Sequence, residues 1–481
     1  MKMTTRVPTP VPFLCSMVVM GALGAMGCGE ELEAQSEVSQ AAIGDFLPGL
    51  QVSPDLLDES RTAFMAVEDI NAGVGPIFNL NACGGCHTNG AVGGAGEQIE
   101  RRFGRVTSGV FDALENRGGS LRQLFTVGNF NNPNLPAASR GKCQPGNPTL
   151  CCVPQEVDAP EANIRNVGRR TQPLFGLGLV DAMPDSFFDG LAAAQPSAIR
   201  GTVNRVSVAV PNPGDSSQTF NSTRVARFGW KAGVPSLMQF SADAYVNEMA
   251  ITTQSCFRGA SLNAFALESA PNGIPVADGC DDLAVRQTGP NPGGLNSTQW
   301  AQVDDAVGSC SGNRTEIQDD VFLFAVFMTA LAPPPRDFSD QLAIQRGQPL
   351  FTQIGCNGCH VTNTFRTPAN PPRLDIGNGE ETIRVPGNFA FNPYSDFLAH
   401  DMGALGDQIG DTGNSVAVTR RMRTQPLWGI RFENKLLHDG RCGDVACAIK
   451  AHDGQAATAR NNFNKLSPAN QHNVVQFVRS L

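Results

Sequence analysis

The chain has 481 residues, 41% hydrophobic and 17% charged, which is the balance of a folded protein long enough for two or three domains. Its net charge of −9 gives no basic surface for phosphate and excludes nucleic-acid binding as an expected function. Mild acidity is compatible with a small basic electron-transfer partner.

Lys2 and Arg6 precede an apolar stretch, Phe13 to Gly27, of signal-sequence length and too short to span a bilayer. It ends in Ala25-Met26-Gly27-Cys28, which resembles a bacterial lipobox. On this reading residues 1–27 are a signal peptide, Cys28 is the acylated N-terminus and residues 28–46 are a polar tether. An ordinary secretory signal with an incidental Cys28 is the alternative. Gly29, in place of the aspartate that retains lipoproteins in the inner membrane, points to the outer membrane facing the periplasm. No later segment is apolar for long enough to cross a membrane, so the lipid at Cys28 is the one membrane contact expected.

Further along stands Cys83-Gly84-Gly85-Cys86-His87, and later Cys356-Asn357-Gly358-Cys359-His360. In Cys-x-x-Cys-His the two thiols form thioethers with haem vinyl groups and the histidine becomes the proximal iron ligand. The alternatives are a zinc ribbon, which would need a partner CxxC, and a thioredoxin-like redox pair; two histidine-adjacent copies in an exported chain, each after the same Phe spacing, lead us to expect two covalently bound haem c groups. Residues 130–160 and 270–315 are rich in Pro, Gly, Asn and Cys and read as long loops. Thr202 to Val210 alternates, and with Thr223 to Trp230 predicts a small inserted hairpin. Glu316 to Leu331 predicts a helix stopped by Ala332-Pro333-Pro334-Pro335, the boundary between an N-terminal haem domain (47–332) and a C-terminal one (333–481). Gln341 to Phe351 predicts a helix leading into the second motif, and Ser467-Pro468 starts a terminal helix to Leu481.

The halves repeat. A phenylalanine, Phe78 or Phe351, lies five residues before each first haem cysteine, and Arg170-Thr171-Gln172-Pro173-Leu174-Phe175-Gly176 matches Arg423-Thr424-Gln425-Pro426-Leu427-Trp428-Gly429. The fold expected is mainly α: two cytochrome c-like haem domains in tandem, with the hairpin insertion and disulfide-stapled loops in the first. Of fourteen cysteines, Cys15 leaves with the signal, Cys28 takes lipid and four hold haem. Cys143, Cys151, Cys152, Cys256, Cys280, Cys310, Cys442 and Cys447 remain, an even set that suggests disulfides in an exported chain, with Cys442–Cys447 the plausible local pair.

Sixth ligands decide whether an iron only carries electrons or also binds a substrate. The six histidines are His87, His360, His400, His438, His452 and His472, so none falls between residues 88 and 359. The first haem is therefore expected to be open or weakly blocked; Met249, or His400 reaching across, are the other possibilities. For the second haem His452 leads, with Met402 and His400 behind it. His438 reads as a structural hydrogen-bonding residue and His472 as a solvent-facing one.

Tyr394 to Gly403, Arg423 to Gly429, Leu436-Leu437-His438-Asp439-Gly440-Arg441 and Ala448 to Gly454, with Phe175 to Pro184 and Arg227 to Gly233, together resemble the di-haem oxidoreductase family, whose members carry thiol-oxidoreductase and peroxidase labels. That family is similar in turn to bacterial di-haem cytochrome c peroxidases and to the di-haem enzyme that matures tryptophan tryptophylquinone. The resemblance implies a peroxidatic N-terminal haem and a C-terminal haem that relays electrons. It implies that Trp230 is an electron relay between the haems, a packed core tryptophan being the alternative. It implies that Glu248, of the Glu248-Met249 pair, is the acid/base over the first haem, a surface glutamate being the alternative. His452 falls where those enzymes carry methionine or tyrosine, which should lower the second haem's potential relative to methionine. Peroxidases that need reductive activation supply a distal histidine from their N-terminal half; this chain has none there, so an accessible first haem is expected. Calcium between domains occurs in those relatives, but no ligand set for it stands out here. The expected partners are hydrogen peroxide or another small oxidisable substrate, and a small cytochrome or copper protein as electron donor. The rivals are an electron-transfer cytochrome with both irons six-coordinate, and an oxidase of a thiol or of another protein.

Overall fold

The computed structural model describes residues 42–68, 74, 77–126, 156–219, 221–251, 253–254, 305–306, 320–375 and 381–481. The expectations for the signal, Cys28 and six of the eight remaining cysteines, and those for most of the two long loops, lie outside these residues. Cys442 and Cys447 form a disulfide, with Cα atoms 5.5 Å apart.

Each Cys-x-x-Cys-His segment follows a helix whose start is written in the sequence. The Pro54–Met65 helix begins at Ser53, whose hydroxyl accepts from the Leu56 amide, with proline at the first position. The Gln341–Ile354 helix begins at Asp340, which accepts from the Ala343 amide, and ends at Gly355 with φ of 98°. Each packs on a later helix: Pro54–Met65 on Asp320–Ala330, and Gln341–Ile354 on Pro468–Arg479. The Asp320–Ala330 helix is buried from Val321 to Ala330, as its unbroken apolar run requires. At the second crossing the backbones nearly touch, because a Cβ on Gly347 would lie 2.0 Å from the Asn473 carbonyl oxygen. Gly347→Ala is therefore expected to destabilise by about 1–3 kcal/mol despite alanine's better helix propensity. A lower urea midpoint at unchanged slope would show it.

The repeated motif repeats as structure. Gly176 and Gly429 both sit in the left-handed region, at φ of 71° and 72°. The Gly176 amide donates to the carbonyl of Leu331, the Gly429 amide to that of Leu481, so each turn is tied to the end of its half's last helix. The two motifs also touch, Gln172 Nε2 donating to Gln425 Oε1 at 2.6 Å.

The mainly α fold of tandem cytochrome c-like domains is corrected. Among the described residues the protein mixes helices with several small sheets. The largest is built on Ile99–Thr107, which pairs antiparallel with Val110–Asp112, Ser120–Arg122 and Ile164–Arg170. The expected hairpin is present as Arg205–Ser207 against Thr223–Val225. Most other strands are two or three residues long, too short to leave a periodic signal. Ile99–Thr107 opens with Glu100, Arg101 and Arg102 and so does not read as an apolar strand. One core also runs through both halves, joining Leu47, Phe64 and Phe327 to Phe365, Phe397 and Trp428.

Candidate active site

Cys83 to Cys86 form a short helical turn after Ala82, and His87 follows as its cap. They open onto a cavity of about 620 Å³. The His87 Nδ1 donates to the Gly94 carbonyl at 3.1 Å. Desolvation lowers its pKa to about 4, which leaves the neutral imidazole that a metal requires. Desolvation likewise raises the Cys86 thiol to about 12, so unmodified it is inert as a nucleophile.

The same cavity is lined by Trp230, Glu248 and Met249, so the structure brings these three candidates to the first Cys-x-x-Cys-His segment. Among the described residues lining it, His87 is the only histidine. Glu248 lies near the end of the Leu237–Met249 helix, which starts at the Ser236 cap. Its backbone carbonyl accepts from the amides of Asn79 and Leu80, and its Oε2 accepts from Asn79 Nδ2 at 2.7 Å. Desolvation, then the charge of Glu100, hold Glu248 well above the usual carboxylate range. The indole N–H of Trp230 donates to the Arg170 carbonyl at 2.8 Å, and its ring meets that of buried His438 edge-on with centroids 6.2 Å apart.

Sequence reasoning did not single out Glu100, Arg102 or Asn79, all at this site. Glu100 and Arg102 are alternate residues of the Ile99–Thr107 strand, so they share one face. That period of two is the signal that would have found them. The guanidinium of Arg170 is also informative. It lines the cavity, is 3% exposed, and pairs through Nη2 with Glu433, while its Nε and Nη1 have no protein partner. A buried guanidinium with unpaired N–H groups is costly unless an anion meets it. The cavity's volume, thiol pair, neutral imidazole and two unpartnered guanidinium N–H positions fit a porphyrin with carboxylate side groups.

At the second segment His360 Nδ1 donates to the Tyr394 carbonyl at 2.8 Å, and His452 Nδ1 donates to the Ala448 carbonyl at 2.7 Å. Each Nε2 therefore keeps its lone pair. The ring centroids stand 6.5 Å apart. Two metal–imidazole bonds of about 2.1 Å, each extended by a ring radius of about 1.1 Å, would span about 6.4 Å, so the ring spacing is compatible with His360 and His452 holding one iron. Desolvation lowers His360 to about 4 and lowers His452 as well.

His400, buried, donates from Nε2 to Asp396 Oδ2 at 2.8 Å and sets Nδ1 3.6 Å from Cys359 Sγ. Burial opposes its charge, but the Asp396 hydrogen bond prevails and raises it to about 10. His400 thus lies beside the second segment and does not line the first cavity. Met402 is half-buried before a short turn at Gly403–Leu405, and His472 is exposed.

No curated protein matches the sequence. A solved structure of Kuenenia stuttgartiensis hydrazine synthase, pressurized with xenon, is similar over 34% of this chain and 56% of that one, at 17% identity and a TM-score of 0.24. This chain therefore spans little more than half the length of that relative. Residues 292–481 match the family described as "Di-haem oxidoreductase, putative peroxidase". That span takes in Cys356, Cys359, His360, His400, His438 and His452, and its match supports the resemblance to the di-haem oxidoreductase family.

Proposed function

We propose that the chain is a di-haem c-type oxidoreductase that reduces hydrogen peroxide at the Cys83–His87 site, with electrons relayed from the Cys356–His360 site. One observation carries this reading. The first cavity offers a single imidazole and a neutral acid, whereas the second segment brings two imidazoles together, tilted at 59° with centroids 6.5 Å apart. Cys83, Cys86 and His87 would hold one haem, and Cys356, Cys359, His360 and His452 the other; bound haem supplies reversible one-electron chemistry and, where a face is open, a place for peroxide. Peroxide reduction takes up two electrons and two protons and gives two waters. Glu248, fixed by Asn79, is placed to hold the proton for the departing oxygen.

Trp230 supports a relay. Its carbonyl accepts from the Arg423 amide at 2.8 Å, and the next residue's amide, that of Thr424, donates to the Leu398 carbonyl. Two residues on, His400 reaches Cys359. A small cytochrome or copper protein would return the electrons. Lipid anchoring at Cys28, at the outer membrane facing the periplasm, belongs to the same proposal and rests on the sequence.

The test is the ferric holoprotein's absorption and EPR spectra, with and without peroxide. One high-spin haem that responds to peroxide and one low-spin haem are expected. His452→Ala should convert the second haem to high spin and leave the first unchanged. Two low-spin haems indifferent to peroxide would reduce the protein to an electron carrier.

A further inference from the structure

Glu248 does not stand alone in the cavity wall. Glu100 also lines the cavity, on a different element, with its carboxyl within interaction reach of that of Glu248. Arg102, two residues along the strand, clamps Glu100 with both prongs, Nε to Oε1 at 2.7 Å and Nη2 to Oε2 at 3.2 Å. Among the described residues no cation is paired with Glu248, which feels Arg102 only at longer range. Its other partner is Asn79, whose own Oδ1 accepts from the Leu124 amide, so Nδ2 is the group turned to Glu248. Gln98, next to the strand, donates to the Asn79 carbonyl and ties the two elements together.

We propose that Glu100 is the positioning partner of Glu248: the Arg102-clamped carboxylate accepts a hydrogen bond from the neutral Glu248 carboxyl, keeps the proton there at rest, and returns it after each turnover. This rests on the peroxidase reading for its purpose, though not for its geometry. Two adjacent carboxyls do not both ionise readily, and the one without a cation keeps the proton. Burial resists ionisation of both, but Arg102 holds Glu100 below the usual carboxylate range while Glu248 stays above it. Three other groups also face the pair: Asp243 and Cys86, whose charged forms disfavour a further anion, and Arg169, committed to Asp407. A proton taken up by Glu100 passes to Glu248 along their hydrogen bond. After Glu248 gives its own proton to the departing oxygen, this returns the pair to its starting charge without any change of oxidation state.

The experiment is infrared titration of the holoprotein, followed at the carboxylic-acid C=O stretch, beside the pH profile of peroxide turnover. A band that persists through pH 7 in the wild type and disappears in Glu248→Gln identifies the neutral acid. Glu100→Gln should lower the pH at which that band is lost by at least about one unit, a tenfold change in proton affinity. The turnover profile should move the same way, and Glu100→Asp should restore part of the shift. A band and profile that do not move in Glu100→Gln, with wild-type circular dichroism, would overturn the proposal. If Glu100→Gln does not fold, Arg102→Gln serves: freeing Glu100 from its clamp should add a second protonated-carboxyl band at neutral pH, and its absence would also overturn the proposal. A wild type without peroxide turnover would sink the peroxidase reading alone, because the infrared arm decides the pair by itself.

Discussion

Glu248→Gln is expected to lower peroxide turnover by about 10²–10⁴-fold, the usual worth of a positioned general acid. Glutamine keeps the size of the side chain and a carbonyl oxygen for the Asn79 amide, which donates at 2.7 Å. The fold and the binding of peroxide should therefore change little. The loss should fall on kcat and on kcat/KM alike, as for an interaction made only while the bond breaks. Steady-state kinetics with an artificial electron donor measures it. The absorption spectrum of the same variant should stay that of the wild type, which separates the loss of an acid from the loss of a cofactor. Turnover unchanged by this substitution would remove Glu248 from the chemistry and leave its raised proton affinity a by-product of burial.

How much of this was legible follows residue by residue. The two Cys-x-x-Cys-His segments and the Ser467 cap with its Pro468 start are local in sequence and were read directly, whereas the equally local Ser53 and Asp340 caps were not singled out. The Arg170 and Arg423 motifs were legible because duplication prints the same residues twice. The sheets were not, since strands such as Phe365–Arg366 are defined by a partner far along the chain, here Ala390–Phe391. The carboxyl pair was hidden for a similar reason. Glu100 and Glu248 are 148 residues apart in sequence, and nothing near either says that the other neutralises its neighbourhood. His400 had offered itself as a ligand for either iron. Its partner Asp396 sits only four residues away, but the buried pairing at 2.8 Å depends on the turn that brings both to Cys359. Local chemistry is written locally; chemistry assembled by the fold is not.

The largest stability loss is expected from Asp407→Asn. Asp407 has a fully buried side chain and meets two cations from the other half of the chain, Arg169 at 2.7 Å and Lys231 at 2.9 Å. It also accepts from the Ile409 amide. Burial opposes its ionisation, but the charges of Arg169 and Lys231 prevail and hold it at about 2. A single carboxylate does not fully offset the burial of two cations, so desolvation still lowers Lys231 to about 8. The folded-state value of Asp407 lies below its unfolded value of about 3.9, so the stability it contributes is present above that pH and is lost as pH falls toward 2. Asparagine leaves buried Arg169 and half-buried Lys231 without their paired carboxylate, at a cost of about 3 kcal/mol. Chemical unfolding at pH 7 measures that cost, and the variant should have lost part of the wild type's sensitivity between pH 4 and pH 2. Lys231 follows Trp230 directly, so the same variant should also slacken the contact between the two halves at the relay. The decisive comparison is a double-mutant cycle with Lys231→Met, which removes one of the stranded charges and retains the length of the side chain. If the double variant regains no stability over Asp407→Asn, the loss comes from the Ile409 turn and not from the buried charges.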